Sequence, residues 1–218
     1  MIYQTILFDL DGTLTDPGEG ITRSVAYALS KWGIEVKDRT VLYCFIGPPL
    51  AESFSRYYGF SSEQAEEAVA QYRVYFRERG MFENRVYGGI RELLARLKEA
   101  GCRLVIATSK PEEFARRILA HFDLDRYFDQ ITGASMDGKL SRKGDVIARA
   151  LALGGIKAED AVMIGDRHHD IDGAKENGLR SIGVLYGYGD RTEHEAAGTD
   201  AIAETVEELE RLLLADHA

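Results

Sequence analysis

The sequence predicts an α/β fold, a doubly wound parallel sheet (a Rossmann-like core) with an inserted α-helical cap subdomain. Three observations predict it. Apolar runs of strand length alternate with amphipathic helical stretches. Most of those runs are apolar without a polar break, as parallel strands covered on both faces are. From about residue 17 to about residue 87 the alternation lapses, and helix follows helix.

Taken in order, the expected strands are 3–10, 103–108, 130–132, 161–165 and 181–186. Between them, Ile90, Leu93, Leu94 and Leu97 form one stripe of a helix that Gly101 is placed to end. Phe114, Ile118, Leu119 and Phe122 repeat the pattern after the second strand. Thr205 and Glu208 read as a capping box opening the last helix, ahead of Leu209, Leu212 and Leu213. Within the helical stretch, Ile21, Val25, Ala28, Leu29 and Trp32 share one face, and Ala65, Ala68, Val69, Tyr72 and Phe76 another. The domains are therefore expected as 1–16 with 88–218 for the sheet core, and 17–87 for the cap. Because ligands of open α/β sheets bind beyond the carboxyl ends of the strands, the insertion is expected to stand over that end as a lid.

A chain of 218 residues suits one large domain, or one domain with an insertion. Its net charge of −9 argues against a nucleic-acid polymer as partner. Cys44 and Cys102, far apart and among apolar neighbours, are expected as reduced core thiols rather than a disulfide. No basic-then-apolar leader opens the chain and no window reaches membrane-spanning length, so a cytoplasmic protein without membrane contact is expected.

The chemistry begins in "QTILFDLDGTLTD", where an apolar run ends in two aspartates one residue apart, then a glycine and a threonine. Asp9 and Asp11 crowd two negative charges together, which is costly unless a metal ion, a lysine or a shared proton holds them. Gly12 lets the chain turn sharply, and Thr13 can hydrogen-bond to fix the loop. The second strand ends "LVIATSKP", placing Thr108, Ser109 and Lys110 at the same edge, and the fourth ends "AVMIGDRHHD", placing Asp166 and Asp170 there. Alone, a Thr-Ser-Lys-Pro run reads as an ordinary helix cap. Three such strand ends together do not.

These residues resemble the haloacid dehalogenase superfamily phosphatases that carry a helical cap after the first motif. The similarity runs through "FDLDGTL", the cap, "ATSKP", a lysine at a helix start, "GDRHHDI" and "IGVLYGYG", and is greatest to the phosphoglycolate phosphatase and 5′-nucleotidase-like members. The resemblance implies that Asp9 is the nucleophile, forming an aspartyl-phosphate, and that Asp11 is general acid and then base. It implies Mg²⁺ as cofactor, held by Asp9, the Asp11 carbonyl and Asp166, with Asp170 as a ligand or its neighbour. The implied donors to the phosphate are Gly12, Thr108, Ser109 and a lysine. Of Lys110, Lys139 and Lys143, the last is favoured, because it stands in the first turn of an expected helix, where the dipole disfavours a cation.

The implied activity is hydrolysis of a small phosphate ester, phosphoglycolate first. A 5′-nucleotidase or a phosphomutase with the same chemistry is the alternative, in a monomer or homodimer. His168 and His169 suggest a transition-metal site only if other histidines join them, and His121, His194 and His217 sit in no ligand motif. In the cap, a turn fixed by Pro48 and Pro49 is expected to face the substrate. Arg23 is a candidate for the substrate's anion and Tyr57, Tyr58, Tyr72 and Tyr75 for a base, though a solvated arginine and core tyrosines are the plainer readings.

Overall fold

The structure, a computed structural model, describes residues 3–214. The chain opens with β1 (Thr5–Phe8) and β2 (Thr15–Asp16), followed by α1 (Gly18–Ser30), a 3₁₀ segment Arg39–Phe45, α2 (Leu50–Tyr58) and α3 (Ser62–Tyr75). After a π-type turn Phe76–Gly80 come β3 (Arg85–Val86), α4 (Ile90–Glu99), β4 (Arg103–Pro111), α5 (Glu112–His121) and β5 (Gln130–Ala134). The remainder is α6 (Lys143–Gly154), β6 (Ala161–Gly165), α7 (His168–Glu176), β7 (Arg180–Val184), α8 (Arg191–Ala197), β8 (Ala201–Ala203) and α9 (Val206–Leu214). Two compact units result: Asp16–Arg85, and the chain up to Thr15 together with that from Val86 onward.

In the larger unit six parallel strands lie in the order β5-β4-β1-β6-β7-β8. Side chains alternate across the sheet. Leu7, Val105, Ala107 and Met163 join Val146, Ile147 and Ala150 of α6 and Ala174 of α7 in one buried cluster. Ile6, Phe8, Leu104, Ile106, Val162 and Ile164 fall on the opposite face and are as fully buried. Each such side chain contributes about 1.5–3 kcal/mol by burial, so β1, β4 and β6 form a stiff floor under their own carboxyl ends. β4 runs on to Pro111, beyond the expected stop at 108, through a register shift between Thr108 and Pro111 against β5. Neither β8 nor the short pair β2 and β3 is expected from the sequence. A strand of three residues at a sheet edge carries too little pattern to register.

The smaller unit is helical between its two ends. Phe45 packs against Phe54 with ring centroids 5.0 Å apart, Phe54 stacks on Phe60 at 5.9 Å, and Trp32 meets Phe60 at 5.1 Å. Trp32 therefore packs from just beyond the end of α1, as its periodicity anticipates. Tyr72 stacks on Phe76 at 5.2 Å and is core, whereas Tyr57 is 45% exposed. The Tyr75 hydroxyl donates to Glu83, and the Arg23 guanidinium is paired with both Glu83 and Glu19 at 2.6 Å. Cys102 is buried but Cys44 is only half-buried, so just one of the two thiols belongs to the core; neither is in a disulfide. Among the described residues, no helix is long and apolar enough to cross a membrane.

One contact in this unit tolerates no side chain. The Gly20 amide donates to the Glu83 carbonyl at 2.9 Å, and a Cβ at Gly20 would lie 1.8 Å from the Gly80 carbonyl oxygen. Backbone cannot yield as a flexible side chain can. Gly20→Ala should therefore destabilise the protein by about 1–3 kcal/mol, seen as a lower urea midpoint with an unchanged slope.

Candidate active site

Phe8 is in register with Ile106 of β4 on one side and Ile164 of β6 on the other. Asp9 follows Phe8 directly, and Thr108 and Asp166 stand two residues beyond its partners, so the three share one carboxyl edge of the sheet. The Asp9 amide extends the ladder by one bond, donating to the Ile164 carbonyl at 2.9 Å. Beyond it the chain turns on Gly12, at φ 83°, and the amides of Thr13, Leu14 and Thr15 all turn back to the Leu10 carbonyl. Only glycine fits here, since a Cβ would sit 2.1 Å from an Asp166 carboxylate oxygen. Thr13 does not fix the loop through its hydroxyl, contrary to expectation: that oxygen is buried without a hydrogen-bond partner. The main-chain bonds to Leu10 do the work instead.

The carboxylates converge on Lys143. Its Nζ lies 2.8 Å from Asp9 Oδ1 and 2.7 Å from Asp170 Oδ1, and donates to the Ala107 carbonyl at 3.1 Å. Two ion pairs and one hydrogen bond thus surround the ammonium. The lysine is the first residue of α6 and is buried, so its charge is held by these partners and not by water. Asn177 secures the arrangement from behind, its amide donating to the carbonyls of Gly144 on α6 and Gly173 on α7. Asp170 Oδ2 accepts from the Arg167 amide at 3.1 Å, and Asp166 Oδ2 from the Tyr188 amide at 2.8 Å. Glu193 of α8 holds the start of α7, accepting from the His168 amide at 2.8 Å and from Arg167 at 3.0 Å.

The other lysines are placed differently. Lys110 Nζ lies 2.6 Å from Asp11 Oδ2, in a pair whose side chains are 6% and 13% exposed. Lys139 is exposed beside Asp137, remote in character from a binding group. Thr108 is buried, and its hydroxyl oxygen accepts from the Lys110 amide at 3.2 Å, which leaves the hydroxyl proton to donate elsewhere. It is not the cap of α5, which starts after Pro111 with no side-chain cap bond. Ser109 is half-buried beside it in β4.

Three of these groups suit a cation. Asp9, Asp166 and Asp170 each offer an oxygen within 4.8 Å of the others, and among the described residues they are the group that could hold a metal ion. Asp166 Oδ1 is buried without a hydrogen-bond partner. An orphaned buried oxygen beside two more carboxylates fits a hard, oxygen-seeking divalent ion. Neither His168 nor His169 joins the group. His168 pairs with Asp172 at 2.9 Å and lies against the His169 ring at 3.8 Å, and burial lowers His169 to about 4, so it is neutral. His194 is buried with Nε2 on the Val184 carbonyl, His121 meets Phe122 edge to face, and His217 lies outside the described residues.

Burial and repulsion set the protonation of the site. Burial, with Asp170 and Asp9 nearby, holds the Asp166 carboxyl well above its ordinary value. Burial raises Asp170 to about 6 against the pull of Lys143. Lys143 moves up, since the pull of Asp170 and Asp9 outweighs its burial. Asp11 is raised by burial despite Lys110. Two contacts at this edge escape the sequence: Lys110 on Asp11, and Glu193 on the start of α7. A bulged strand end gives no periodic sign of where its side chain goes, and Glu193 looks like any solvated helix residue.

The raised Asp170 fixes a sign. Its folded value lies above the ordinary 3.8, so the protonated form stabilises the metal-free fold, and that contribution is lost as pH rises through about 6. A cation takes the ionised form. The gain in Tm on adding a divalent cation over chelator should therefore be larger at about pH 8 than at about pH 5. Equal gains would exclude these carboxylates as the ligands.

Comparison with known proteins agrees with the geometry. Residues 6–184 match the haloacid dehalogenase-like hydrolase family. A curated relative named 5′-nucleotidase, from Pseudomonas aeruginosa, is 52% identical over 194 residues, covering 89% of this chain and 88% of its own. A relative named tyrosine-protein kinase PtkA, from Mycobacterium tuberculosis, is 43% identical over 212 residues, covering 96% of this chain and 72% of its own. The crystal structure of a "predicted phosphatase" from Clostridium acetobutylicum superposes with a TM-score of 0.95 at 53% identity, covering 98% of this chain and 99% of that one. With its parallel sheet and the carboxylates at the sheet's carboxyl edge, the chain belongs to the haloacid dehalogenase-like hydrolases, and within them it is a phosphatase.

Proposed function

We propose that the protein is a Mg²⁺-dependent phosphomonoester hydrolase working through an aspartyl-phosphate on Asp9, with nucleoside 5′-monophosphates as its substrate class. The observation that carries the reading is the buried Asp9 carboxylate, with one oxygen on Lys143, at the edge shared with Asp166 and Asp170. Asp9, Asp166 and Asp170 would hold the ion, with the Asp11 carbonyl as the fourth protein ligand that the family resemblance implies. When bound, Mg²⁺ supplies positive charge that offsets the repulsion between phosphate and carboxylates.

The chain's own residues account for the rest. An Asp9 oxygen attacks phosphorus, the bond from phosphorus to the leaving oxygen breaks, and the Asp11 carboxyl gives that oxygen its proton. Water then attacks the phosphoryl group, Asp11 takes its proton, and the bond to Asp9 breaks to release phosphate. The raised Asp11 suits a group that must first carry a proton. Thr108, Ser109 and Lys143, with the Gly12 turn, would hold the equatorial oxygens. Nucleotides rank above phosphoglycolate because the relative named 5′-nucleotidase shares 52% identity. The phosphoglycolate phosphatase structures, at 21%, speak to the fold alone. We assign substrate choice to the helical unit, where Pro48 and Pro49 fix the turn before α2.

Asp9→Asn should fold and lose several orders of magnitude in turnover, and Asp11→Asn nearly as much. Near wild-type release of phosphate by Asp9→Asn would remove the nucleophile assignment. Mg²⁺ should activate and EDTA silence the enzyme, while Ca²⁺, with its larger and looser shell, should inhibit. Full activity after exhaustive dialysis against EDTA would exclude the cofactor. A kcat/KM profile over nucleoside monophosphates, phosphoglycolate and sugar phosphates should place the nucleotides first. Replacing residues 47–50 should reorder that ranking, and an unchanged order would put selection elsewhere. Ester consumed without equal phosphate released would indicate a mutase.

A further inference from the structure

Lys110 stands outside the roles assigned so far. It makes the 2.6 Å contact to Asp11 Oδ2, while Asp11 Oδ1 is buried without a hydrogen-bond partner. The carboxylate is thus held by one oxygen, and the other is left for a reacting atom. The pair is not a surface ornament, because the Lys110 side chain is only 6% exposed and the Asp11 side chain 13%. Its backbone is fixed as well, the Lys110 amide being bound to the Thr108 hydroxyl at the bulged end of β4. The phosphate-facing threonine and the lysine on Asp11 therefore move as one piece.

We propose that Lys110 is the positioning residue for Asp11, holding its carboxyl at the angle from which Oδ1 passes a proton to the leaving oxygen. The inference rests on the reading of Asp11 as the acid. Lys143 and Lys110 then divide the work: one ammonium is committed to the nucleophile Asp9, the other to the proton donor Asp11. Proton transfer is sensitive to sub-ångström placement. The main-chain bonds to the Leu10 carbonyl fix the loop's backbone, and Lys110 fixes the carboxyl that projects from it.

The test compares leaving groups. An alkyl phosphate such as a nucleoside monophosphate needs a proton on its departing oxygen, whereas 4-nitrophenolate leaves without one. Since kcat/KM reports steps through formation of the aspartyl-phosphate, the later role of Asp11 as base does not enter it. In Lys110→Met the loss in kcat/KM on the nucleotide should exceed the loss on 4-nitrophenyl phosphate by about 10²-fold. Lys110→Arg should recover most of that difference. Added to Asp11→Asn, the Lys110→Met change should cost less than about threefold more on the nucleotide, because the residue it positions is already gone.

Equal losses on the two esters in Lys110→Met, or fully additive losses in the double variant, would overturn the proposal. Lys110 would then serve the phosphate itself or the fold alone. If Asp11→Asn fell equally on both esters, the acid assignment would fail and this inference with it. A selective Asp11→Asn beside an unselective Lys110→Met would sink only the role of Lys110. Should Lys110→Met not fold, Lys110→Gln carries the same comparison.

Discussion

Asp9, Asp166 and Asp170 bring carboxylate oxygens within 4.8 Å of one another at a buried sheet edge. Repulsion there must be balanced by something positive or by protons. Lys143 supplies one charge, to Asp9 and Asp170, while Asp166 Oδ1 is buried without a hydrogen-bond partner. Much of the surrounding structure serves this balance. Asn177 ties α6 to α7, so that the lysine of one helix meets the aspartate of the other. The amides of Arg167 and Tyr188 each take up one carboxylate oxygen. Removing Lys143 would leave buried anions uncompensated, a change that costs several kcal/mol in proteins generally.

The same constraint explains where the chain can afford no side chain. A Cβ on Gly165 would fall 2.1 Å from Asp170 Cγ, and one on Gly187 would fall 2.4 Å from Asp166 Cβ. The carboxylates are walled by bare backbone. A side chain at either glycine would displace a carboxylate from its place.

The parallel core was legible because its strands are buried on both faces. The run Ala161–Gly165 is apolar from end to end and needs no neighbour to be read. What stayed hidden lacks a repeating pattern. β8 is three residues long, and β2 and β3 are two each, too short for any period to show. The aspartates could be named from sequence because strand ends carry them in a distinctive spacing. Lys110 could be named but not assigned: the register shift after Thr108 decides where it reaches, and that shift is set by pairing with β5. Thr13 shows the opposite failure, a hydroxyl whose local chemistry suggested a bond that the fold does not make.

The connectors between the two units carry a consequence for folding. β2 and β3 pair with each other, and the Tyr87 amide donates to the Leu14 carbonyl at 3.1 Å, so the chain leaves the sheet and returns to it at one place. Thr5 of β1 pairs with Arg103 of β4, a contact that would otherwise require closing a very long loop. Once Asp16–Arg85 has folded on itself, that loop is short, and a distant pairing becomes in effect a local one. Because the insertion's two ends meet beside the sheet, its length can vary without re-threading the strands it separates.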